Sequence, residues 1–483
     1  MILKTVFGRV TMMIFGNAII AAGSLLNLRI TLENLTKEEY GFLGYVLSVC
    51  GMAFCVVDLG FSAAHIKNLA SQTQPANCLR TYVVIQLRLL GFGMLGLLIW
   101  YVCMALLGFL ENDARHVFSY LLLIISWGIS ILTSAIGRTF TGLLQPAKQL
   151  IPEATRALAL TVFLLCVSFN SNPLVSVSIS YAAAATCSLI CALCLVAPLR
   201  NGKYIDELYA EYAEYASKLR PGIIASSIGR NIDGIIIGQS LSLVELSTYH
   251  ACKRIVLPIE QISSALDHVI FPILARLVQL KNEKGLRELL GKIESVLVIM
   301  MTYVCCHLVI YREVWTKLLI GLKYIQGSPV FAIMACGASL NLYAILWYSA
   351  ANALGRPEIT SQSMLIANSG LALLSCFLIL PSIGGFTGLG YGSFGGALSY
   401  FIVAALSCVV TRHRVRQLLK YQRLELPLRE VGISFFCVII PKLIVDVAGL
   451  SISSYWVLTG SFLLGGCTVG FVVKRGVNEI RER

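Results

Sequence analysis

Charged residues are scarce in this chain: Asp, Glu, Lys and Arg together make up 13% of its 483 residues, and hydrophobic residues make up 57%. An ordinary soluble protein carries about 25% charged residues. The sequence has no GxxxxGKS or GxxxxGKT motif, which excludes a Walker-type phosphate-binding loop. Its apolar runs are separated by short stretches of at most about 25 residues, too few for a separate soluble domain. We therefore expect the protein to act within a membrane.

Few polar residues lie near the 16 cysteines in the sequence. Most of them lie inside apolar runs, where a thiol packs as a small hydrophobic group. The close pairs are Cys191 with Cys194 and Cys305 with Cys306, and no histidine or carboxylate completes a metal site around either pair. The sequence therefore predicts no metal, no other cofactor and no disulfide framework.

Long apolar runs, by contrast, recur along the whole sequence. A membrane-spanning helix needs about 20 mostly apolar residues, and the runs lack the alternation that barrel strands show. The first run is longer than the apolar region of a signal peptide. We predict an all-α integral membrane protein with 14 spans, at 10 to 30, 41 to 63, 81 to 105, 117 to 137, 150 to 169, 174 to 197, 221 to 240, 250 to 274, 293 to 311, 329 to 352, 360 to 380, 394 to 410, 431 to 448 and 453 to 473.

Basic residues are distributed unevenly between the two sets of predicted loops. One set holds most of the 38 lysines and arginines, whereas the opposite set holds Lys37, Arg115, Arg312, Lys317 and Lys323. Because cytoplasmic loops carry the excess of positive charge, both termini are predicted to be cytoplasmic. The basic block at 412 to 429 is then a cytoplasmic loop near lipid head groups, and no nucleic-acid partner is expected.

A few charged residues remain inside the predicted spans, where each costs about 2.5 to 3.5 kcal/mol at the helix centre. Such residues face a bundle interior or a wet cavity. The basic ones favour an anionic solute, since a phosphate or uronate needs compensating charge. The basic residues are Arg29, Arg88, Arg156, Arg230, Lys253, Arg254 and Lys442, and the acidic residues include Asp58, Asp233, Glu260, Asp267 and Asp446.

Arg230 and Asp233 are the deepest of these charges in the span 221 to 240. On a continuous helix their spacing of three residues places them on one face near mid-bilayer. A structural ion pair and a solute-binding pair both fit this pattern. Asn231 lines the same edge or bonds a neighbouring helix.

Depth separates the remaining candidates. Lys253 and Arg254 lie near the outer end of their span, as does Arg29, so these side chains either reach the membrane surface or line a cavity. Glu260 is near mid-depth in its span. Arg88 enters about one or two turns from the cytoplasmic side.

A faint repeat relates the two halves of the chain. A shift of 209 positions aligns Tyr40 with Tyr249, Asp58 with Asp267 and Lys67 with Arg276. The interval contains six spans, and an even number preserves orientation, as in transporters built from parallel repeats. We predict lobes at 1 to 200 and 201 to 425, followed by two trailing helices at 426 to 483.

Three regions resemble a known family: VDLGFSAAHIKNLA (57 to 70), the block GRNIDGIIIGQ through ARL (229 to 277), and 351 to 370 with 385 to 400. They look like the polysaccharide transporters, or O-antigen (Wzx-type) flippases, of the multidrug/oligosaccharidyl-lipid/polysaccharide (MOP) exporter superfamily. The resemblance implies two six-helix lobes around a central cationic cavity. It implies alternating-access transfer of a polyprenyl-pyrophosphate-linked oligosaccharide across the cytoplasmic membrane.

The resemblance also implies which residues face the cavity: Arg230, Asp233, Lys253, Arg254 and, more loosely, Arg29. Further candidates for the cavity or its gating are Asn231, Glu260 and Arg88. The expected partners are the lipid-linked oligosaccharide, membrane lipids, and a polysaccharide polymerase with chain-length proteins. The sequence carries no signature that selects a proton or a sodium ion for coupling.

Two rival functions stay open from the sequence. A cation-coupled drug exporter of the same superfamily would favour a lobe rich in carboxylates. A membrane sugar polymerase would need a sizeable outer loop with catalytic residues, whereas the longest outer loop, at 313 to 328, is short. We therefore predict a transporter and not an enzyme.

Overall fold

Helices make up nearly the whole described chain. The computed structural model describes residues 2 to 71, 74 to 109, 113 to 143, 145 to 167, 172 to 383 and 386 to 419, with Gly432, Val438 and Ile439. The helices are α1 (Ile2–Asn34), α2 (Lys37–Asp58), α3 (Phe61–Ser71), α4 (Pro75–Leu106), α5 (Ala114–Gly142), α6 (Pro146–Cys166), α7 (Pro173–Val196), α8 (Asp206–Gly229), α9 (Ile232–Ser240), α10 (Leu243–Gln279), α11 (Glu283–Ile310), α12 (Arg312–Leu319), α13 (Ser328–Ala353), α14 (Pro357–Ile379) and α15 (Gly392–Leu419). Two short strands, β1 (Ser382–Ile383) and β2 (Phe386–Thr387), pair antiparallel.

Nine helices among the described residues are long and apolar enough to cross a membrane. They are α2, α4, α5, α6, α7, α11, α13, α14 and α15. Further predicted spans coincide with α1, with α8 and α9 together, and with α10. The predicted all-α, multi-pass membrane fold is thus confirmed. The last two predicted spans, 431 to 448 and 453 to 473, lie outside the described residues apart from isolated positions.

Local sequence signals set several helix boundaries. Thr36 and Glu39 form a capping box at the start of α2: the Thr36 hydroxyl accepts from the Glu39 N–H at 3.1 Å, and the Thr36 N–H donates to the Glu39 carboxylate at 2.8 Å. Proline occupies the first turn of α4, α6 and α7, where its missing N–H costs nothing. Leu59 and Gly60, with φ of 44° and 93°, turn the chain from α2 into α3.

The chain forms two compact units. The first runs from the amino terminus to His250 and includes Asn368–Ser393, and the second comprises Ala251–Ala367 with the chain from Phe394 onwards. The three-part division predicted from sequence stays a prediction.

In the first unit, a stripe of small residues on α2 packs against α9 and the start of α10. A Cβ atom on Gly41 would overlap the carbonyl oxygen of Leu243, and one on Gly44 would stand 2.9 Å from the His250 ring. Further along the stripe, the Ser48 hydroxyl lies where a Cβ on Gly234 would stand. Small residues allow this close approach of helices in a membrane. The stripe therefore fixes the position of α9.

The second unit has its own apolar core, formed by α10, α11, α13 and α15. Trp347 on α13 is its largest fully buried side chain, and Leu274, Leu290 and Val415 pack in the same cluster. A fully buried side chain of this kind contributes about 1.5 to 3 kcal/mol. The core holds the helices that carry Glu260 and Glu294.

Candidate functional site

The predicted seventh span is interrupted at its charged residue. α8 ends at Gly229, α9 begins at Ile232, and Arg230 and Asn231 form a turn between them. Asn231 has φ of −126° and ψ of −15°, outside helical values, and its amide donates to the Ser227 carbonyl oxygen at 2.8 Å. Asparagine competes with helical hydrogen bonding in this way. The prediction of one continuous helix is therefore wrong, and so is the helical i,i+3 relation between the two charged residues.

The break leaves Arg230 exposed at the junction of the two helices. The preceding Gly229 is tightly packed, because a Cβ there would overlap the carbonyl oxygen of Asn368. The first N–H groups of a helix have no partner within the helix, and the helix dipole is positive there. The guanidinium group and the start of α9 therefore lie next to each other along the chain.

Asp233 is held inside the first unit. Its side chain is buried, with 3% exposure. The carboxylate accepts a hydrogen bond from the Gly234 N–H at 2.7 Å and another from the hydroxyl of Tyr249 on α10. A carboxylate in the first turn also interacts favourably with the helix dipole. Asp233 thus anchors the start of α9 to α10.

Further polar contacts join α2 to α4, to α9 and to the start of α10. The Tyr45 hydroxyl on α2 accepts from the Gln239 amide at 2.8 Å and from the Trp100 indole at 3.1 Å. The His250 ring lies 3.3 Å from the Tyr40 hydroxyl. Of these residues, the sequence interpretation had singled out only Tyr40, through the faint repeat. Their partners are distant in sequence, and no local pattern indicates them.

In the second unit, two successive hydrogen bonds connect Glu260 to residues on two other helices. Its carboxylate on α10 accepts from the Tyr400 hydroxyl on α15 at 2.6 Å, and the Asn341 amide on α13 donates to the Tyr400 oxygen at 2.9 Å. Lys253 and Arg254 precede Glu260 on α10 by about two turns and are half-buried. Two cations and a hydrogen-bonded carboxylate therefore lie within about two turns of one helix in the second unit.

Arg29 and Arg88 lie elsewhere in the first unit. The Arg29 Nε atom is 2.6 Å from the Glu33 carboxylate one turn on, and both side chains are partly exposed. A pair of this kind contributes about 0 to 1 kcal/mol and exchanges partners readily. Arg88 is exposed on α4, with its guanidinium 5.8 Å from the centre of the Tyr204 ring.

The second unit also contains an ion pair between a buried glutamate and a partly buried arginine, which the sequence did not predict. Arg412 Nε donates to Glu294 at 2.9 Å, the Tyr343 hydroxyl donates to the same oxygen, and the guanidinium lies 5.8 Å from the Trp347 ring. Glu294 opens one predicted span and Arg412 follows another, and the charge pattern predicts that both of these span ends lie on the same side of the membrane. That shared depth is the signal that could have suggested the pair.

The predicted site residues thus fall into two groups. Arg29, Arg88, Arg230, Asn231 and Asp233 belong to the first unit, and the second unit holds Lys253, Arg254 and Glu260. Within the first group the structure brings Asp233 to Tyr249, and within the second it brings Glu260 to Tyr400. A common cavity stays a prediction.

An all-α bundle of membrane-spanning helices with a charged break in one helix is typical of membrane transporters. The structure is similar to that of the lipid II flippase MurJ in its inward closed conformation, with a TM-score of 0.72 and 11% identity over 98% of this chain and 99% of that chain. It is also similar to an inward-facing multidrug resistance MATE family transporter of the MOP superfamily, with a TM-score of 0.66 and 11% identity over 83% and 96% of the two chains. A Vibrio cholerae MATE transporter matches with a TM-score of 0.58 and 13% identity over 87% and 98%. The chain therefore has the fold of MOP-superfamily transporters.

The family follows from a separate comparison. The family described as polysaccharide biosynthesis protein matches residues 34–329, more than half of the chain. The chain belongs to that family. No curated protein matches it.

Proposed function

We propose that this protein is a flippase that moves a polyprenyl-pyrophosphate-linked oligosaccharide from the cytoplasmic to the outer leaflet of the cytoplasmic membrane by alternating access. Membership in the polysaccharide biosynthesis family and a fold shared with a lipid II flippase support this substrate class. The proposed role is transport without catalysis. Its partners are the lipid-linked oligosaccharide, membrane lipids, and the polymerase and chain-length proteins that use the product.

The observation that carries the proposal is the interrupted helix at Arg230. In transporters, broken helices direct half-helix N-termini towards anionic substrate groups. A guanidinium group binds phosphate through two parallel hydrogen bonds, and the positive end of the helix dipole at the start of α9 lies beside it along the chain. Asp233, held by Tyr249, fixes the start of α9 and limits how tightly an anion is retained.

The other cations extend this proposed site. Lys253 and Arg254 add positive charge on α10, and Arg29 can exchange Glu33 for a phosphate at small cost. Asn231, Glu260 and Arg88 complete the proposed set as cavity or gating residues.

The test removes the guanidinium group while keeping the fold. Arg230→Ala should leave the protein in the membrane and abolish surface polysaccharide in a deletion strain, and Arg230→Lys should restore part of it. Loss of charge-assisted bonds worth about 1.5 to 3 kcal/mol corresponds to a fall in substrate affinity of roughly 10- to 100-fold. Lys218→Ala is the matched control, since Lys218 lies on α8, is exposed and pairs with Glu214. Full complementation by Arg230→Ala would contradict the proposal.

The rival function is a cation-coupled drug exporter, which the similarity to MATE transporters in fold favours. On that function, deletion would raise drug susceptibility and leave surface polysaccharide intact. The same deletion strain therefore separates the two functions.

A further inference from the structure

The turn between α8 and α9 lies against a glycine on α2. Gly51 follows Ser48 by three residues and Gly44 by seven, so it shares the face of α2 on which the stripe of small residues lies. A Cβ atom on Gly51 would overlap the side-chain oxygen of Asn231 and would stand 2.7 Å from the Asn231 Cγ atom. The Asn231 side chain therefore occupies space that is open because residue 51 has no side chain.

The Asn231 side chain replaces a backbone hydrogen bond at this turn. In a continuous α-helix, the N–H group of residue 231 would donate to the carbonyl oxygen of Ser227. In the structure that N–H group donates to the Ile228 oxygen at 3.1 Å, and the side-chain amide of Asn231 donates to the Ser227 oxygen at 2.8 Å. A carbonyl group without a donor is costly inside a membrane. The side-chain amide therefore stabilises the interrupted helix.

The atoms that Gly51 faces distinguish it from Gly41 on the same helix. A methyl group at Gly41 would overlap the backbone of α10, which cannot yield unless the whole helix moves. A methyl group at Gly51 would meet a side chain that can rotate away and lose its bond to Ser227. The Ser227 oxygen would regain a donor if the Asn231 N–H group returned to it, and the helix would then be continuous. Added bulk at position 51 should therefore act on the turn more than on the stability of the whole protein.

A continuous helix would change the surroundings of Arg230. Its side chain would share a face with Ser227, Asp233 and Gly234, three or four residues away along the chain. Those three residues are buried. In the interrupted helix, by contrast, Arg230 is exposed. The interruption therefore keeps the guanidinium group away from the buried face.

We propose that Gly51 is a positioning residue for Arg230. The absence of a side chain at Gly51 keeps the Asn231 amide on the Ser227 oxygen, and that bond keeps the helix interrupted and the guanidinium group exposed. Gly51 thus acts on Arg230 through Asn231. In transport, Gly51 then determines how well the anionic group is bound, and this last step rests on the flippase function proposed above.

Chemical modification of arginine tests the positioning without any assumption about transport. The purified full-length protein in lipid nanodiscs is treated with phenylglyoxal, and mass spectrometry compares the rate at Arg230 with the rate at Arg356, an exposed arginine just before α14. Gly51→Ala should lower the rate at Arg230 by about 2- to 10-fold, the effect of losing one neutral hydrogen bond. Gly91→Ala, where a methyl group meets nothing within 4 Å, should leave the rate unchanged. An unreactive Arg230 in the wild-type protein, or a wild-type rate in Gly51→Ala, overturns the proposal.

A second glycine of α2 controls for general loosening of the packing. Gly41→Ala should lower thermostability, because its methyl group would overlap backbone atoms, but it should leave the rate at Arg230 unchanged. An equal fall in the rate at Arg230 in Gly41→Ala and Gly51→Ala would assign the effect to packing of α2 in general, and the positioning role would be wrong.

A double-mutant cycle tests whether the effect passes through Asn231. Asn231→Gly removes the side chain that a methyl group at Gly51 would displace, so adding Gly51→Ala to that variant should not change the rate at Arg230 further. The same fold-change with and without the Asn231 side chain would contradict the proposal. If Gly51→Ala yields no folded protein, Asn231→Ala removes the bond to Ser227 without adding bulk and should lower the rate at Arg230 over the same range; a wild-type rate in Asn231→Ala also overturns the proposal.

Transport in proteoliposomes tests the consequence for anion binding. With a polyprenyl-pyrophosphate-linked oligosaccharide as probe, Gly51→Ala should raise the glycolipid concentration for half-maximal flipping by about 2- to 10-fold, because only molecules with the interrupted helix bind well. Saturating glycolipid should restore the wild-type rate. A lower maximal rate with unchanged half-saturation overturns the link between Gly51 and anion binding. If the wild-type protein does not move the glycolipid at all, the proposed function fails, and the arginine modification still decides the positioning of Arg230.

Discussion

Replacing Arg412 with glutamine is expected to lower the free energy of unfolding by about 3 to 5 kcal/mol, the cost of breaking a buried ion pair by removing one partner. The Glu294 side chain is only 4% exposed, so its carboxylate cannot reach water once Arg412 is gone. Tyr343 would remain as its donor. The guanidinium also lies over Trp347, and losing that contact costs about 0.5 to 1 kcal/mol more.

The reverse replacement, Glu294→Gln, should cost less, about 1 to 2 kcal/mol. The Arg412 side chain is 24% exposed and can turn its charge towards water. The double variant should be more stable than Arg412→Gln alone, because it buries no unpaired charge. The order of stability of the three variants therefore shows which of the two charges cannot reach water when its partner is removed.

Thermostability in detergent, followed as the monodisperse fraction after heating, measures these differences. A loss of 1 kcal/mol lowers the midpoint by about 2 to 4 °C in a protein of 150 to 250 residues and by about half as much in a chain about twice that long, so the midpoint of Arg412→Gln should fall by at least about 3 °C. Membrane proteins unfold irreversibly, and midpoints at one heating rate are the proper comparison. A wild-type midpoint for Arg412→Gln, or a double variant worse than both single variants combined, would refute the reasoning.

The remaining predictions concern packing and pH in the first unit. Gly41→Ala should destabilise the protein by more than about 1 kcal/mol, because the new methyl group would overlap the Leu243 carbonyl oxygen. A methyl group at Gly91 meets nothing within 4 Å, so Gly91→Ala should be neutral or stabilising by up to about 1 kcal/mol. Equal unfolding midpoints for the two variants would argue against close packing at α2. His65 on α3 is fully buried between Tyr212 and Thr139, and burial lowers its pKa to about 3. Because the folded-state pKa lies below the unfolded value of about 6.5, stability should fall as pH drops below that value, by up to about 1.4 kcal/mol per pH unit. His65→Gln should flatten this slope between about pH 6.5 and pH 4, and an unchanged slope would exclude His65 as its source.

Much of the fold could be predicted because insertion into a membrane depends on local composition. A run of about 20 apolar residues is enough to predict a span, and the predicted spans within the described residues coincide with helices. The exception is the break between α8 and α9. Because hydropathy is averaged over a window, it does not reveal the turn that Arg230 and Asn231 form inside an apolar run.

The candidate site was only partly predictable for a related reason. Rarity of charge identified Arg230, Asp233 and Glu260, since each is costly at its depth. It did not identify Glu294 and Arg412, which lie at span ends where charges are common. The free-energy cost of a charge at a given depth depends on one residue, whereas an ion pair depends on which two residues the fold brings together.

The sequence by itself determined an all-α, multi-pass membrane protein with a short set of charged residues inside its spans. Tertiary structure alone decided what those charges contact: Asp233 meets a tyrosine 16 residues away, Glu260 meets one 140 residues away, and Glu294 meets an arginine 118 residues away. The physical reason is the distance along the chain over which each effect acts. Partition into lipid is summed along a local stretch of chain, but a hydrogen bond requires two atoms within about 3 Å, and helix packing brings those atoms together.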